Sequence, residues 1–184
     1  MKKQDIFDTS LALIVKQGLH ATPMSQIAAE ANVAAGTIYH YFKSKEEMIH
    51  ELYHNIRVEL ERSIIPDEID TANYPLEFTS LCLRIFKFFI QQPLKFTFLQ
   101  QYEHSPLGFQ SRELNANIES PIPVDFLRLG LDLGLLKPVP LSLPSNLIYV
   151  NLAALAKLQL SEKLALDKEM IQSVIDGIWN MIKK

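Results

Sequence analysis

Along residues 4–17, Ile6, Phe7, Ser10, Leu13 and Ile14 fall at i, i+1, i+4, i+7 and i+8, one face of an amphipathic helix that Gly18 is placed to stop. Thr22-Pro23 then offers a hydroxyl cap followed by proline at the first helical position, so a short second helix is predicted over about 23–31. Asn32 tolerates a left-handed backbone, which makes Ala31-Asn32-Val33 a tight turn into a third helix at about 34–41. Ser44-Lys45-Glu46-Glu47 reads as a capping box and opens a long helix with Met48, Ile49, Leu52, Ile56 and Leu60 on its apolar face, ending before Pro66. The polar stretch from Ser63 to Tyr74 marks a boundary, and beyond it 75–102 is rich in phenylalanine and divided into two helices by Pro93. Ser105–Gly108 reads as a turn, 111–118 as a short helix, 121–135 as an apolar helix ending near Gly134, and Pro138–Pro144 as a loop. Two more helices follow at about 145–160 and 167–183. No segment alternates as a strand does and no Asn-Gly hairpin signal occurs, so the fold class is all-α with about nine helices.

Composition narrows the function classes. With 184 residues, 48% of them hydrophobic, and only six glycines, the chain is a globular protein of one or two domains rather than a disordered or collagen-like one. The single cysteine, Cys82, removes an intramolecular disulfide framework and a cysteine-based zinc site; among Leu81, Leu83 and Ile85 it reads as a buried thiol in a cytoplasmic protein. Met1-Lys2-Lys3 is followed at once by Asp5 and Asp8, and the apolar run Leu11–Val15 is too short for a secretion signal. The longest uncharged stretch, Pro138 to Ala156, is broken by Pro140 and Pro144, so no membrane span is predicted. The net charge of −3 exerts no general pull on nucleic acid, so any DNA binding must rest on a local site.

Such a site is present in Thr22 to Lys45. Its two short helices and tight turn read as a helix-turn-helix, with Ile27, Ala28, Val33, Ile38 and Phe42 as shared core. The second helix then presents Ala35, Gly36, Thr37, Tyr39 and His40, a small, polar and aromatic set free of acids that anionic DNA can approach. On Thr22, Ile27-Ala28, Ala31, Val33, Gly36-Thr37, Tyr39, Phe42 and Lys45-Glu46, the segment resembles the TetR family of bacterial transcriptional regulators, and with the preceding helix and Gly18 the resemblance covers about residues 4–56. It implies a three-helix DNA-binding domain (1–45), a connector helix (46–62) and a C-terminal ligand-binding and dimerisation domain (63–184). It also implies that Thr22, Ala35, Gly36, Thr37, Tyr39, His40 and Lys45 lie at or near DNA. The chemistry fits: hydroxyls at Thr22, Thr37 and Tyr39 donate to phosphate, Gly36 permits close approach, Lys45 adds charge, and Thr37 and His40 are the base readers. Ala34, where the family has Ser or Thr, leaves the recognition helix without a side-chain cap, and Lys2 and Lys3 are all that remains of a basic arm.

Competing chemistries are weaker. Glu47-x-x-His50 and Glu51-x-x-His54 have the spacing of di-iron carboxylate bundles, but both copies fall on one helix, whereas such sites draw on several. No Gly-x-Ser-x-Gly, P-loop or Gly-rich dinucleotide turn occurs, so no enzyme, metal or cofactor is expected. Phe78, Phe86, Phe89, Phe98, Tyr102 and Phe126 are candidate walls of a pocket for an apolar or aromatic effector. The stripes Leu147, Val150, Ala154, Leu158 and Met170, Ile171, Val174, Ile178, Met181 suit a homodimer made by the last two helices, 145–160 and 167–183. The leading expectation is a dimeric repressor released from a near-palindromic operator by a small effector. The alternative is a helical small-molecule-binding or metal-dependent protein with a vestigial helix-turn-helix.

Overall fold

Helix α1 (Lys2–Gln17) buries Ile6, Phe7, Ser10, Leu11, Leu13 and Ile14, the predicted face with Leu11 added. The computed structural model describes residues 2–66, 68–114 and 122–184. In them the chain forms α2 (Met24–Glu30), α3 (Ala35–Tyr41), α4 (Lys45–Ile64), α5 (Tyr74–Gln91), α6 (Pro93–Glu103), α7 (Pro106–Leu114), α8 (Val124–Asp132), α9 (Ser142–Leu160) and α10 (Lys168–Ile182). Among the described residues there is no strand, only an isolated bridge between Leu136 and Lys183. The all-α expectation is met, with ten helices among the described residues against the nine or so expected.

The helices gather into two compact units, Met1–Glu59 with Gln92–Ile118, and Leu60–Gln91 with Glu119–Lys184. In the first unit Gly18, at φ +91°, turns the chain out of α1 while its amide still donates to the Ile14 carbonyl. Asn32 adopts φ +53°, the left-handed turn expected of it, and the Val33 amide donates to the Ala28 carbonyl. Helix α4 opens with Ser44 Oγ accepting from the Glu47 amide, while the Glu47 carboxylate accepts from the Lys43 amide at 2.6 Å. This is the predicted capping box with its return bond displaced by one residue, from Ser44 to Lys43. Helix α6 packs on α1, where Gln101 Nε2 donates to the Val15 carbonyl.

Three proline positions differ from the expected boundaries, Pro23, Pro106 and Pro144, the last lying in the first turn of α9 instead of closing the loop Pro138–Pro144. Pro23 is itself the cap of α2 in extended conformation, so the helix starts at Met24 and the Thr22 side chain caps nothing. Ser105–Gly108 is the start of α7 instead of a free turn: Ser105 Oγ accepts from the Gly108 amide and donates to the Tyr102 carbonyl, and Pro106 opens the helix. The predicted short helix at 111–118 is found to Leu114, and its remainder lies outside the described residues.

The second unit is organised by aromatic contacts. Tyr74 stacks on Phe126 at 4.8 Å and donates its hydroxyl to the Phe126 carbonyl, and Trp179 lies 5.1 Å from Phe78. Burial pushes the Tyr74 phenol above its ordinary value, so it stays a neutral donor. Gly130 lies against this ring, and a Cβ there would sit 2.4 Å from Tyr74 Oη. Gly130→Ala is therefore expected to cost about 1–3 kcal/mol through overpacking, read as a fall of several degrees in Tm; an unchanged Tm would show that the ring yields freely. The Lys137 amide donates to the Ile182 carbonyl, the Lys184 amide to Leu135, and Lys137 Nζ to the Met181 carbonyl, so the segment after α8 clasps the end of α10.

Candidate nucleic-acid interface

The second helix of the motif, α3, is anchored by one side and presented by the other. Ile38 and Phe42 are fully buried with Ile27, beside the nearly buried Ala28; Val33 is half-buried. Phe42 packs on Phe7 of α1 with ring centroids 5.2 Å apart. The opposite face is open: Ala35, Gly36 and His40 are exposed, Tyr39 is 56% exposed, and Thr37 is half-buried. Tyr41, 37% exposed, meets the His40 ring edge-on at 5.5 Å, so neither tyrosine is a core residue. Ala34 caps α3 by its backbone alone, as its missing hydroxyl requires.

Thr22 and the lysines need revision. Thr22 is fully buried; its hydroxyl donates to the Gly18 carbonyl at 2.9 Å and accepts from Gln17 Nε2. A hydroxyl committed inward does not reach phosphate, so the donor role expected of Thr22 is replaced by bracing the turn from α1 to α2. Thr22→Val is then expected to lower stability by about 1 kcal/mol, because the half-buried Gly18 carbonyl loses its side-chain donor. The DNA affinity of the folded fraction should not change. A DNA loss in thermally unaltered protein would restore the phosphate role.

Lys3 is no free arm residue: it pairs with Glu51 and lies over the Phe7 and Phe42 rings, 5.7 and 5.4 Å from their centroids. Lys43 is exposed, and half-buried Lys45 donates from Nζ to the His20 carbonyl at 3.2 Å. Desolvation lowers the Lys45 pKa from its ordinary value, against the opposing charge of Glu46. The Glu46 carboxylate, held by its own amide and the Ser44 hydroxyl, lies below the usual carboxylate range. With Glu47 also spent on a backbone amide, both acids beside the interface act within the first turn of α4.

The residues of the metal reading are engaged otherwise. Glu47 holds the Lys43 amide, Glu51 holds Lys3, and His50 Nδ1 lies 2.6 Å from the Tyr102 hydroxyl. Among the described residues no three His, Cys, Asp or Glu side chains gather where they could hold a metal ion. Burial pushes the Cys82 thiol up to about 12, which keeps it protonated.

All six candidate effector aromatics are buried, but the two units divide them. Phe78, Phe86, Phe89 and Phe126 belong to the second unit, Phe98 and Tyr102 to the first. Tyr102 is stacked on Tyr53 at 4.0 Å, within the first unit. In the second unit Tyr74, Tyr149 and Trp179 join the cluster, Tyr149 edge-on to Phe89 at 5.7 Å. These three were not singled out in the sequence, although Tyr74 and Trp179 stand at helix positions where the apolar period would have found them.

Known proteins share the fold. The family profile described as bacterial regulatory proteins, tetR family, matches residues 6–52, and the one described as tetracyclin repressor-like, C-terminal domain, matches 75–183. An HTH-type transcriptional regulator of Haemophilus influenzae is 30% identical over 184 residues, covering 98% of this chain and 95% of its own. A solved tetR family transcription regulator from Shewanella sp. PV-4 matches with a TM-score of 0.86 at 26% identity, covering 100% of this chain and 99% of its own. The fatty acid metabolism regulator protein of Bacillus subtilis is 42% identical over 52 residues, 28% of this chain and 27% of its own. Among the described residues no helix is long and apolar enough to cross a membrane.

Proposed function

Because the chain belongs to the TetR family of bacterial transcriptional regulators and is itself a DNA-binding transcriptional regulator, we propose that it is a cytoplasmic homodimeric repressor whose α3 helices enter successive major grooves of a near-palindromic operator. The observation that carries this reading is the acid-free, exposed face of α3 anchored by the buried Ile38 and Phe42. The two recognition helices would stand roughly 34–36 Å apart. Gly36 lets the backbone approach, Ala35 meets an apolar base edge, Tyr39 and Lys45 contact phosphate, and Thr37 and His40 read bases.

The functional division into 1–45, 46–62 and 63–184 places DNA reading in α1–α3, coupling in α4, and effector and dimer contacts beyond. Four of the aromatics, Phe78, Phe86, Phe89 and Phe126, are the proposed surroundings of an apolar or aromatic effector. Phe98 and Tyr102 are read instead as packing residues, since the first unit uses Tyr102 against His50 and Tyr53. An effector acts only through its differential affinity for the DNA-competent state, so weaker DNA binding with effector implies weaker effector binding on DNA by the same factor.

The test is fluorescence anisotropy on the gene's own upstream DNA and on a scrambled fragment, at two salt concentrations. Preference for the upstream fragment with a log–log salt slope of roughly −4 or steeper is expected of a dimer neutralising several phosphates. His40→Ala should cost about 1–3 kcal/mol on the preferred sequence and little on scrambled DNA. Equal losses on both would remove His40 from base reading, and no preference by the wild type would sink the operator assignment.

A further inference from the structure

The first unit contains a partly open cavity of about 110 Å³ lined in part by Lys45. Its walls come from three distant stretches of chain: Leu19 after α1, Ile49 on α4, and Pro106 and Leu107 at the start of α7. Lys45, Gln110 and the His20 imidazole bring the polar groups in its lining that can donate to a ligand. Ser105, also in the lining, has its hydroxyl committed to Tyr102 and Gly108, so it adds no free donor.

We propose that this cavity binds a small monocarboxylate with a short apolar tail, with Lys45 as the group that holds the anion. The apolar walls fit the tail. The ammonium of Lys45 uses one of its three N–H groups on the His20 carbonyl and is partly desolvated there, so a carboxylate at the rim gives its remaining N–H groups a charged acceptor in place of the water that burial removes. The Gln110 amide can supply a second donor. Glu46 stands on the same rim, which selects against a dianion; its carboxylate is already held by the Ser44 hydroxyl and its own amide, so one negative charge beside Lys45 is tolerated. A ligand so placed keeps Lys45 turned to the cavity and away from phosphate, and in this second half the inference rests on the DNA reading of Lys45.

Sodium hexanoate, 1-hexanol and hexylamine are the probes, titrated at matched ionic strength into the full chain without DNA, with methyl groups labelled for NMR. Hexanoate is expected to shift the methyl signals of Leu19, Ile49 and Leu107 saturably and to bind about tenfold more tightly than the alcohol or the amine. Lys45→Gln, a change at a half-exposed site, should erase that preference, and Leu107→Phe should weaken all three probes. Unshifted Ile178 and Ile182 methyls, in the second unit, would show that the variants remain folded and that binding is local.

Movement confined to second-unit methyls, an amine that binds as well as hexanoate, or a preference that survives Lys45→Gln would each overturn the site. On operator DNA, hexanoate and not hexanol should weaken binding about fivefold or more. Binding at these methyls by a protein that ignores DNA would uphold the site and sink only the DNA reading.

Discussion

Ala154→Arg is expected to leave each protomer folded, convert the proposed dimer to monomer in light scattering at micromolar concentration, and weaken operator binding by about three orders of magnitude. The reason lies in the two apolar faces of α9. One is spent inside the second unit, where Ile148, Leu152 and Ala156 are fully buried. The other carries Leu143, Val150, Ala154 and Leu158, spaced i, i+7, i+11 and i+15, all of them exposed, with Leu147 half-buried between them. Helix α10 repeats the device with exposed Met170, Gly177 and Met181 and half-buried Val174, at i, i+7, i+11 and i+4, whereas Ile178 of the expected stripe is buried inside the second unit. Two helices with matching second stripes suit a twofold contact of four helices, at whose centre the small Ala154 admits a close approach.

An arginine there is solvated in the protomer but unpaired in the dimer, so the cost falls on association. Once the protomers separate, each half-site is bound alone, and the effective concentration in the millimolar range that tethering provides is lost. Lys157→Ala, on an exposed position of the same helix, should change neither quantity. A dimer that persists in Ala154→Arg would put the interface elsewhere.

What could be foreseen in the chain follows from how local its causes are. Asn32 was legible because a left-handed residue is a property of one backbone position, and the Ser44 cap because its bond spans only the first turn of α4. The buried face of α1 was legible from its period alone. Thr22 misled because Thr-Pro satisfies the cap pattern, while the competing acceptor, the Gly18 carbonyl, becomes available only once Gly18 has turned the chain back. Lys3 misled for a similar reason: its partner Glu51 lies 48 residues on, and the ring of Phe42 nearly as far. The same holds for α6, whose bond from Gln101 to Val15 spans 86 residues and joins it to the helix-turn-helix unit. Ser105-Pro106 was legible in principle, as a hydroxyl cap followed by proline at the first helical position, the pattern that Thr22-Pro23 only imitates.

Gly36→Ala is expected to move stability and function in opposite directions. Gly36 lies within α3 without a positive φ, and a Cβ built there meets nothing within 4 Å, so the folded protomer accepts alanine without strain. Alanine also reduces the freedom of the unfolded chain, so the substitution should raise stability by about 0.5–1 kcal/mol. Packing within the protomer therefore does not require glycine at this exposed position. If that space is where DNA backbone or base edges approach α3, each added Cβ intrudes in both half-sites of the dimer, and operator affinity should fall by about tenfold or more for alanine. Gly36→Leu, equally free of intramolecular contacts at its Cβ, should fall much further. The paired measurement is a thermal melt and operator anisotropy on the same preparations. A higher Tm with undiminished operator binding would mean that α3 does not approach DNA through Gly36, and the recognition face would have to be moved toward Tyr39 and His40.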